Sequence, residues 1–144
     1  MDLIRLAMIG FLALEGANVI ALYFFPDSRL ANSVGVFNAW EKSKHDPEIH
    51  AFVKYLVNWV AGTKLIFILL LVVLLLTADQ PTLRYASLAM AVAISSFFWR
   101  LFPLVRHMDR QGQITPPKYS LVLGGMILAF ILIFLAAFAL TPAA

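Results

Sequence analysis

Residues 52–76 read FVKYLVNWVAGTKLIFILLLVVLLL, and this stretch decides the fold class of the chain. Only two of its 25 residues, Lys54 and Lys64, carry a charge. A helix rises about 1.5 Å per residue, so roughly 20 apolar residues are enough to cross a hydrocarbon layer of about 30 Å. The stretch also lacks the polar face with which a surface helix meets water. It therefore predicts a transmembrane helix.

Three further apolar stretches have the length of a membrane span, at about 3–25, 85–104 and 119–140. The chain of 144 residues is 62% hydrophobic, with a mean hydropathy of +0.87, whereas soluble domains are roughly 45–50% apolar. Four spans leave too little chain for a soluble catalytic domain. We therefore predict an all-α protein, an integral membrane four-helix bundle, in which residues 1–144 form a single transmembrane domain.

The composition excludes several kinds of chemistry. The chain has no cysteine, so disulfide bonds, thiolate nucleophiles and cysteine-ligated metal centres are excluded. The sequence contains no glycine-rich phosphate loop and no serine nucleophile motif. His45 and His50 do not have the i, i+4 spacing of a helical zinc site. We predict no metal site and no cofactor.

The distribution of Lys and Arg predicts the orientation of the chain in the membrane. Two cations, Arg5 and Arg84, lie on the side of the termini and the second connection, and Lys64 lies within a span. Cytoplasmic connections carry the excess of Lys and Arg, so we expect an inner-membrane protein with both termini outside. We attribute the net charge of +3 to this orientation rather than to nucleic-acid binding. The eight cations that flank the first and third connections are Arg29, Lys42, Lys44, Lys54, Arg100, Arg106, Arg110 and Lys118.

The first connection has a helical pattern of its own. Leu30, Val34, Phe37 and Trp40 recur at helical spacing, which predicts a short amphipathic helix over 28–42 that lies on the inner leaflet. The motif Asp46-Pro47-Glu48 is typical of a helix start, so the second helix should begin before its membrane span. The side chains that we expect at the lipid headgroups are Arg29, Trp40, Lys42, Lys44, Arg106 and Arg110.

Five polar residues in the spans form a predicted intramembrane site. An ionisable residue at the centre of a span costs about 2.5–3.5 kcal/mol on insertion scales, and it usually has a partner and a function. Glu15 lies about 15 Å from the inner end of the first span, and Lys64 lies about 18 Å from the inner start of the second, so the two can pair near the midplane. A second polar layer, nearer the cytoplasm, should hold the rest of the site. The five residues are Glu15, Asn18, Asn58, Lys64 and Arg100.

Small residues in the third span suggest which way Arg100 points. Ala86, Ala89, Ala93 and Ser96 form a ridge on one helix face that continues to Arg100. Ridges of small residues allow helices to approach closely. We therefore expect Arg100 to point into the bundle.

Each polar residue also has an alternative interpretation. Lys64 can extend its ammonium towards an interface, or it can contact another subunit. Glu15 can be protonated and form a hydrogen bond with Asn18 or a serine. Arg100 can bind a lipid phosphate, and the asparagines can join helices without a further function.

Three functions from different classes are compatible with these residues. We favour a non-catalytic subunit or self-assembling scaffold of an inner-membrane complex, because catalytic motifs are missing and the fourth span is apolar. The first alternative is a small transporter or proton-linked channel that uses the Glu15 and Lys64 pair. The second is an enzyme for a lipid substrate or a lipid-binding protein. The expected partners are the lipid bilayer, further copies of the chain or other membrane subunits, and not nucleic acid.

Overall fold

A computed structural model describes residues 2–142, so Met1, Ala143 and Ala144 lie outside the description. Within these residues the chain forms six α-helices and no β-strand. A 3-10 turn at Val34–Val36 precedes the second helix. The helices are α1 Leu3–Phe24, α2 Asn38–Ser43, α3 Pro47–Thr77, α4 Gln80–Ser95, α5 Phe97–Arg110 and α6 Tyr119–Leu140.

Four helical segments of residues 2–142 are long and apolar enough to cross a membrane, which confirms the predicted four-helix bundle. They are α1, α3, the combined α4 and α5, and α6, with 22, 31, 31 and 22 residues. The break between α4 and α5 lies at Ser96. The predicted start of the second helix is confirmed too, because the Asp46 side chain accepts hydrogen bonds from the backbone N–H groups of Glu48 and Ile49.

The helices pack unevenly around α1. Helix α1 packs along α3 and also contacts α6 and α4, while α4 packs along α6. Helices α3 and α4 make few contacts with each other, although only Ala78 and Asp79 separate them in the chain. These two consecutive helices therefore diverge from their turn and leave a cleft between them.

The best-packed part of the bundle lies near the α3–α4 turn. Ile4, Met8, Leu83 and Phe134 are fully buried there, and Leu71 packs against them. Two smaller apolar clusters lie at the opposite end, where the first and third connections cover the helix ends. One end of the molecule is thus a side-chain core, and the other is closed by ordered connections.

The predicted amphipathic helix over 28–42 is wrong in extent, since only Asn38–Ser43 is α-helical. Ala31 and Asn32 have φ values of 51° and 56°, a left-handed conformation that ends any right-handed helix. Gly35 lies against the backbone of Asp27, where a Cβ atom would overlap it. The chain therefore turns back on itself before α2, and the apolar spacing of this segment reflects packing rather than one helix.

The first and third connections are joined by hydrogen bonds. The Asn38 N–H donates to the Gln113 carbonyl at 2.9 Å, and the Thr115 N–H donates to the Val36 carbonyl at 2.8 Å. The turn that leads from α5 into the third connection uses Gly112 at a φ of 66°, which glycine adopts without strain. We call residues 25–46 and 111–118 together the connection layer.

Candidate intramembrane site

The predicted ion pair between Glu15 and Lys64 is present. The Lys64 Nζ lies 2.7 Å from the Glu15 Oε2, with side chains that are 29% and 25% exposed. Helices α1 and α3 pack side by side, so residues at matching depths from the same end meet. The depth count from the sequence thus located the pair correctly.

Asn18 connects this ion pair to the connection layer. Its Oδ1 accepts a hydrogen bond of 2.6 Å from the Lys64 ammonium, and its Nδ2 donates to the carbonyls of Ala31 and Asn32 at 2.7 and 2.9 Å. The side chain is almost fully buried, with 4% of its surface exposed. Tyr119 extends the network to α6, because its hydroxyl donates to the Asn32 Oδ1. Buried polar groups that are fully hydrogen-bonded hold one arrangement of the chain.

Asn58 was predicted to belong to the site, but it lies outside it. It is exposed on α3, and its position differs from that of Lys64 by six residues, about 120° around the helix. One face of α3 therefore cannot present both side chains to α1. Asn58 instead points away from the bundle.

Arg100 does not point inward either, and that prediction is wrong. The side chain is exposed, and its guanidinium lies 5.5 Å from the centre of the Trp99 ring. The prediction assumed one regular helix from Ala86 to Arg100. The Ser95 and Ser96 hydroxyls donate to the carbonyls of Ala91 and Ala93, and such bonds bend a helix. The break at Ser96 therefore ends the face that the ridge of small residues defines.

Trp40 is buried in the connection layer rather than in contact with lipid headgroups. Only 3% of its surface is exposed, and it packs in one cluster with Leu22 and Val57. Its indole Nε1 donates a 2.6 Å hydrogen bond to the Asp27 Oδ1. Trp40 therefore fixes the connection layer on the ends of α1 and α3.

Lys44 also forms its ion pairs within the connection layer. Its ammonium lies 2.6 Å from the Asp27 carboxylate and 2.8 Å from the Glu41 carboxylate. The hydrogen bond from Lys44 and that from Trp40 hold the pKa of Asp27 below its usual value of 3.8. The same two carboxylates raise the pKa of Lys44. The headgroup role remains a prediction for Arg29, Lys42, Arg106 and Arg110, whose side chains are exposed or half-buried.

A cleft of about 570 Å³ lies between α3 and α4, with α1 at its base. We call it the α3–α4 cleft. Its walls are apolar except at one end, where Glu15, Thr63 and Lys64 lie. Three residues of the predicted ridge are part of the α4 wall. The apolar lining consists of Phe11, Phe67, Leu70, Leu71, Leu74, Ala86, Ala89, Met90, Ala93 and Ile94.

A second cavity of about 290 Å³ lies on the other side of Glu15. Its polar lining comes from Glu15, Asn18, Arg29, Asn32 and Tyr119. Glu15 is thus shared by both cavities. Sequence reasoning missed Tyr119 and the role of Asn32, because neither lies near Glu15 in the chain or within a polar stripe.

Comparisons with protein families, with characterised proteins and with solved structures find no match. The site must therefore be interpreted from its own geometry. Within residues 2–142 no group of three or more His, Asp or Glu side chains has the arrangement of a metal site. The arrangement combines a long apolar surface with a fixed carboxylate and ammonium at one end, which suits binding of a molecule with an apolar and a polar part.

Proposed function

We propose that the protein is a membrane-embedded binding protein for an amphiphile, with the apolar chain in the α3–α4 cleft and the polar head at Glu15 and Lys64. The observation that carries the proposal is the cleft itself, which has a volume of about 570 Å³ and polar groups at one end only. Ligand sites generally have volumes of about 300–1,000 Å³, apolar walls and a few fixed polar groups. A cleft that opens between two membrane helices receives its ligand from the bilayer.

The polar end of the cleft favours a neutral head that both donates and accepts hydrogen bonds. Within residues 2–142, the Lys64 ammonium uses two of its three donors, on Glu15 and Asn18, and the Glu15 carboxylate pairs through Oε2. One donor and one carboxylate oxygen are left for a ligand. Because the pair has no net charge, a hydroxyl or amide head fits it better than an ionised one.

The proposal includes a location and an orientation. We place the protein in the inner membrane, with the connection layer in the cytoplasm and both termini outside. Eight Lys and Arg residues near the connection layer, against two at the other end, support this orientation.

The test compares two substitutions on α4. Ala89 lines the cleft, so Ala89→Trp should fill it and exclude the ligand. Val92 is 65% exposed and does not line the cleft, so Val92→Trp is the matched control. Mass spectrometry of the lipid-like molecules retained after purification in mild detergent should show an amphiphile in the wild type and in Val92→Trp, but not in Ala89→Trp. Equal retention in all three would contradict the proposal.

A second candidate function is that of a subunit in a membrane complex, with a partner's transmembrane helix in the same cleft. The observation that favours it is the ridge of Ala86, Ala89 and Ala93, which lines the cleft with small side chains of the kind that let membrane helices approach closely. In addition, only 11% of the 18-residue apolar segment of α3 is buried. In the same experiment, a polypeptide that copurifies with the wild type and is lost with Ala89→Trp would favour this candidate over the amphiphile.

A further inference from the structure

Three cations surround a small pocket at the connection layer, away from the α3–α4 cleft. The pocket has a volume of about 230 Å³ and lies between the end of α5 and the start of α6. Arg106 and Arg110 are four residues apart on α5, so they lie on the same helix face. Lys118 comes from the other side, where its backbone has a φ of 66° directly before α6. We call this the Arg106 pocket.

The acidic residue of the pocket, Asp109, is engaged with the backbone at the start of α6. Its Oδ2 accepts hydrogen bonds from the Ser120 N–H at 2.8 Å and from the Ser120 hydroxyl at 2.5 Å. Its Oδ1 accepts from the Lys118 N–H at 3.0 Å. These bonds fix the carboxylate as the N-terminal cap of α6. One negative charge against three positive charges leaves an excess of two positive charges around the pocket.

We propose that the Arg106 pocket binds a phosphomonoester, either on a lipid headgroup or on a soluble phosphate compound. Guanidinium groups bind phosphate oxygens in a bidentate manner, and an ammonium adds a compact third charge. A phosphomonoester carries about −1.5 to −2 charges near pH 7, which matches the excess of positive charge, whereas a phosphodiester carries one negative charge. Because Asp109 already accepts hydrogen bonds from the N–H groups of Lys118 and Ser120 at the start of α6, the three cationic side chains hold the anion.

The surroundings of the pocket place it where a membrane phosphate can reach it. Trp99, Leu101 and Leu104 on the preceding turns of α5 are 77%, 52% and 56% exposed, as expected for side chains that meet lipid. Arg106 and Arg110 follow these residues on α5 and lie beside the connection layer. Aromatic and apolar residues followed by cations are typical of a helix that crosses the membrane interface.

The test is native mass spectrometry of the purified full chain titrated with phosphatidic acid, phosphatidylglycerol and phosphatidylcholine. Phosphatidic acid should bind about tenfold more tightly than phosphatidylglycerol. The double substitution Arg106→Gln with Arg110→Gln should remove this preference. Lys54→Gln removes an exposed positive charge outside the pocket and should keep the preference.

A second arm distinguishes the two sources of phosphate. Inorganic phosphate added to lipid-free protein in detergent should raise the unfolding temperature if a soluble phosphate compound is the ligand. If the ligand is a lipid, phosphatidic acid binds and free phosphate has no effect. If the protein with the double substitution does not fold, Lys118→Gln replaces it in the experiment. This single substitution changes an exposed side chain of the pocket. Equal binding of both anionic lipids together with no effect of inorganic phosphate on the unfolding temperature, or equal losses in the pocket and control variants, would refute the proposal.

Discussion

At the scale of single residues, Asn18 makes the contact on which the connection layer and the ion pair both depend. Asn18→Ala removes the acceptor of Lys64 and leaves the carbonyls of Ala31 and Asn32 without their donor. Because such groups are costly when buried and unsatisfied, we expect a loss of about 1–3 kcal/mol in the free energy of unfolding. Unfolding in mixed detergent, followed by helicity, measures this loss.

The control for this prediction is Asn58→Ala, the same substitution on the neighbouring helix at an exposed position. An exposed side chain without such contacts should change stability by less than about 0.5 kcal/mol. Similar effects of the two substitutions would show that the Asn18 contacts do not stabilise the fold.

The ion pair makes a second prediction at this scale. Lys64→Met leaves the Glu15 carboxylate without its cation inside the bundle and should destabilise the protein by about 2.5–3.5 kcal/mol, the cost of an ionisable residue at the centre of a span on insertion scales. Glu15→Gln together with Lys64→Met should cost less than the sum of the single changes. A double-mutant cycle measures the coupling, and strictly additive effects would contradict it.

Sequence reasoning found part of this site and could not have found the rest. Glu15 and Lys64 were located because distance along a helix converts directly into depth in a membrane. To predict where the Arg100 side chain points, one must know that the helix breaks at Ser96. The apolar content of the sequence does not reveal this break. The contact between Asn18 and the connection layer requires left-handed backbone at Ala31 and Asn32, and neither residue type demands that conformation.

At the scale of elements, the first connection shows where a periodic pattern misleads. The spacing of Leu30, Val34, Phe37 and Trp40 is helical, yet Leu30 is 78% exposed and Trp40 is 3% exposed. A single amphipathic helix would give these side chains one environment. The chain instead turns back before α2, so apolar residues that are helically spaced reach different surroundings. The spans themselves were predictable because the bilayer imposes both their length and their helical form.

The contacts of Trp40 and Lys44 with Asp27 predict that the environment of Trp40 depends on pH. Hydrogen bonds from Lys44 and Trp40 lower the pKa of Asp27 below 3.8, so the carboxylate stabilises the folded connection layer at pH values above the unfolded-state pKa. That contribution is lost as the pH falls through the lowered pKa. In a Trp59→Phe, Trp99→Phe background, the fluorescence of Trp40 should be constant at neutral pH and change only below about pH 4.

Two variants in the same background control this experiment. Asp27→Ala should give the altered Trp40 fluorescence already at neutral pH, because the acceptor of the indole N–H is absent. Asp79→Ala removes a carboxylate at the opposite end of the bundle and should leave the transition unchanged. A fluorescence change at the same pH in Asp27→Ala and in the parent would disprove the role of Asp27.

At the scale of the whole molecule, the two ends of the bundle differ in what holds them together. The end near the α3–α4 turn has the larger core of buried apolar side chains, whereas the other end has two smaller apolar clusters and is closed by backbone hydrogen bonds between the connections. Between them the α3–α4 cleft separates two consecutive helices. Packing at one end and the connection layer at the other therefore hold the bundle together on both sides of the cleft.

The predicted orientation in the membrane can be tested by labelling single cysteines. The chain has no cysteine, so an introduced cysteine carries the only thiol. Lys42→Cys lies in the connection layer and Thr82→Cys lies at the start of α4, and both positions are exposed. Because the cations are concentrated around the connection layer, we expect that layer in the cytoplasm. A membrane-impermeant maleimide added to intact cells should label Thr82→Cys, and should label Lys42→Cys only after the membrane is permeabilised. Labelling of Lys42→Cys in intact cells would reverse the orientation, and it would place the Arg106 pocket at the outer leaflet, because Arg106 and Lys42 lie at the same end of the bundle.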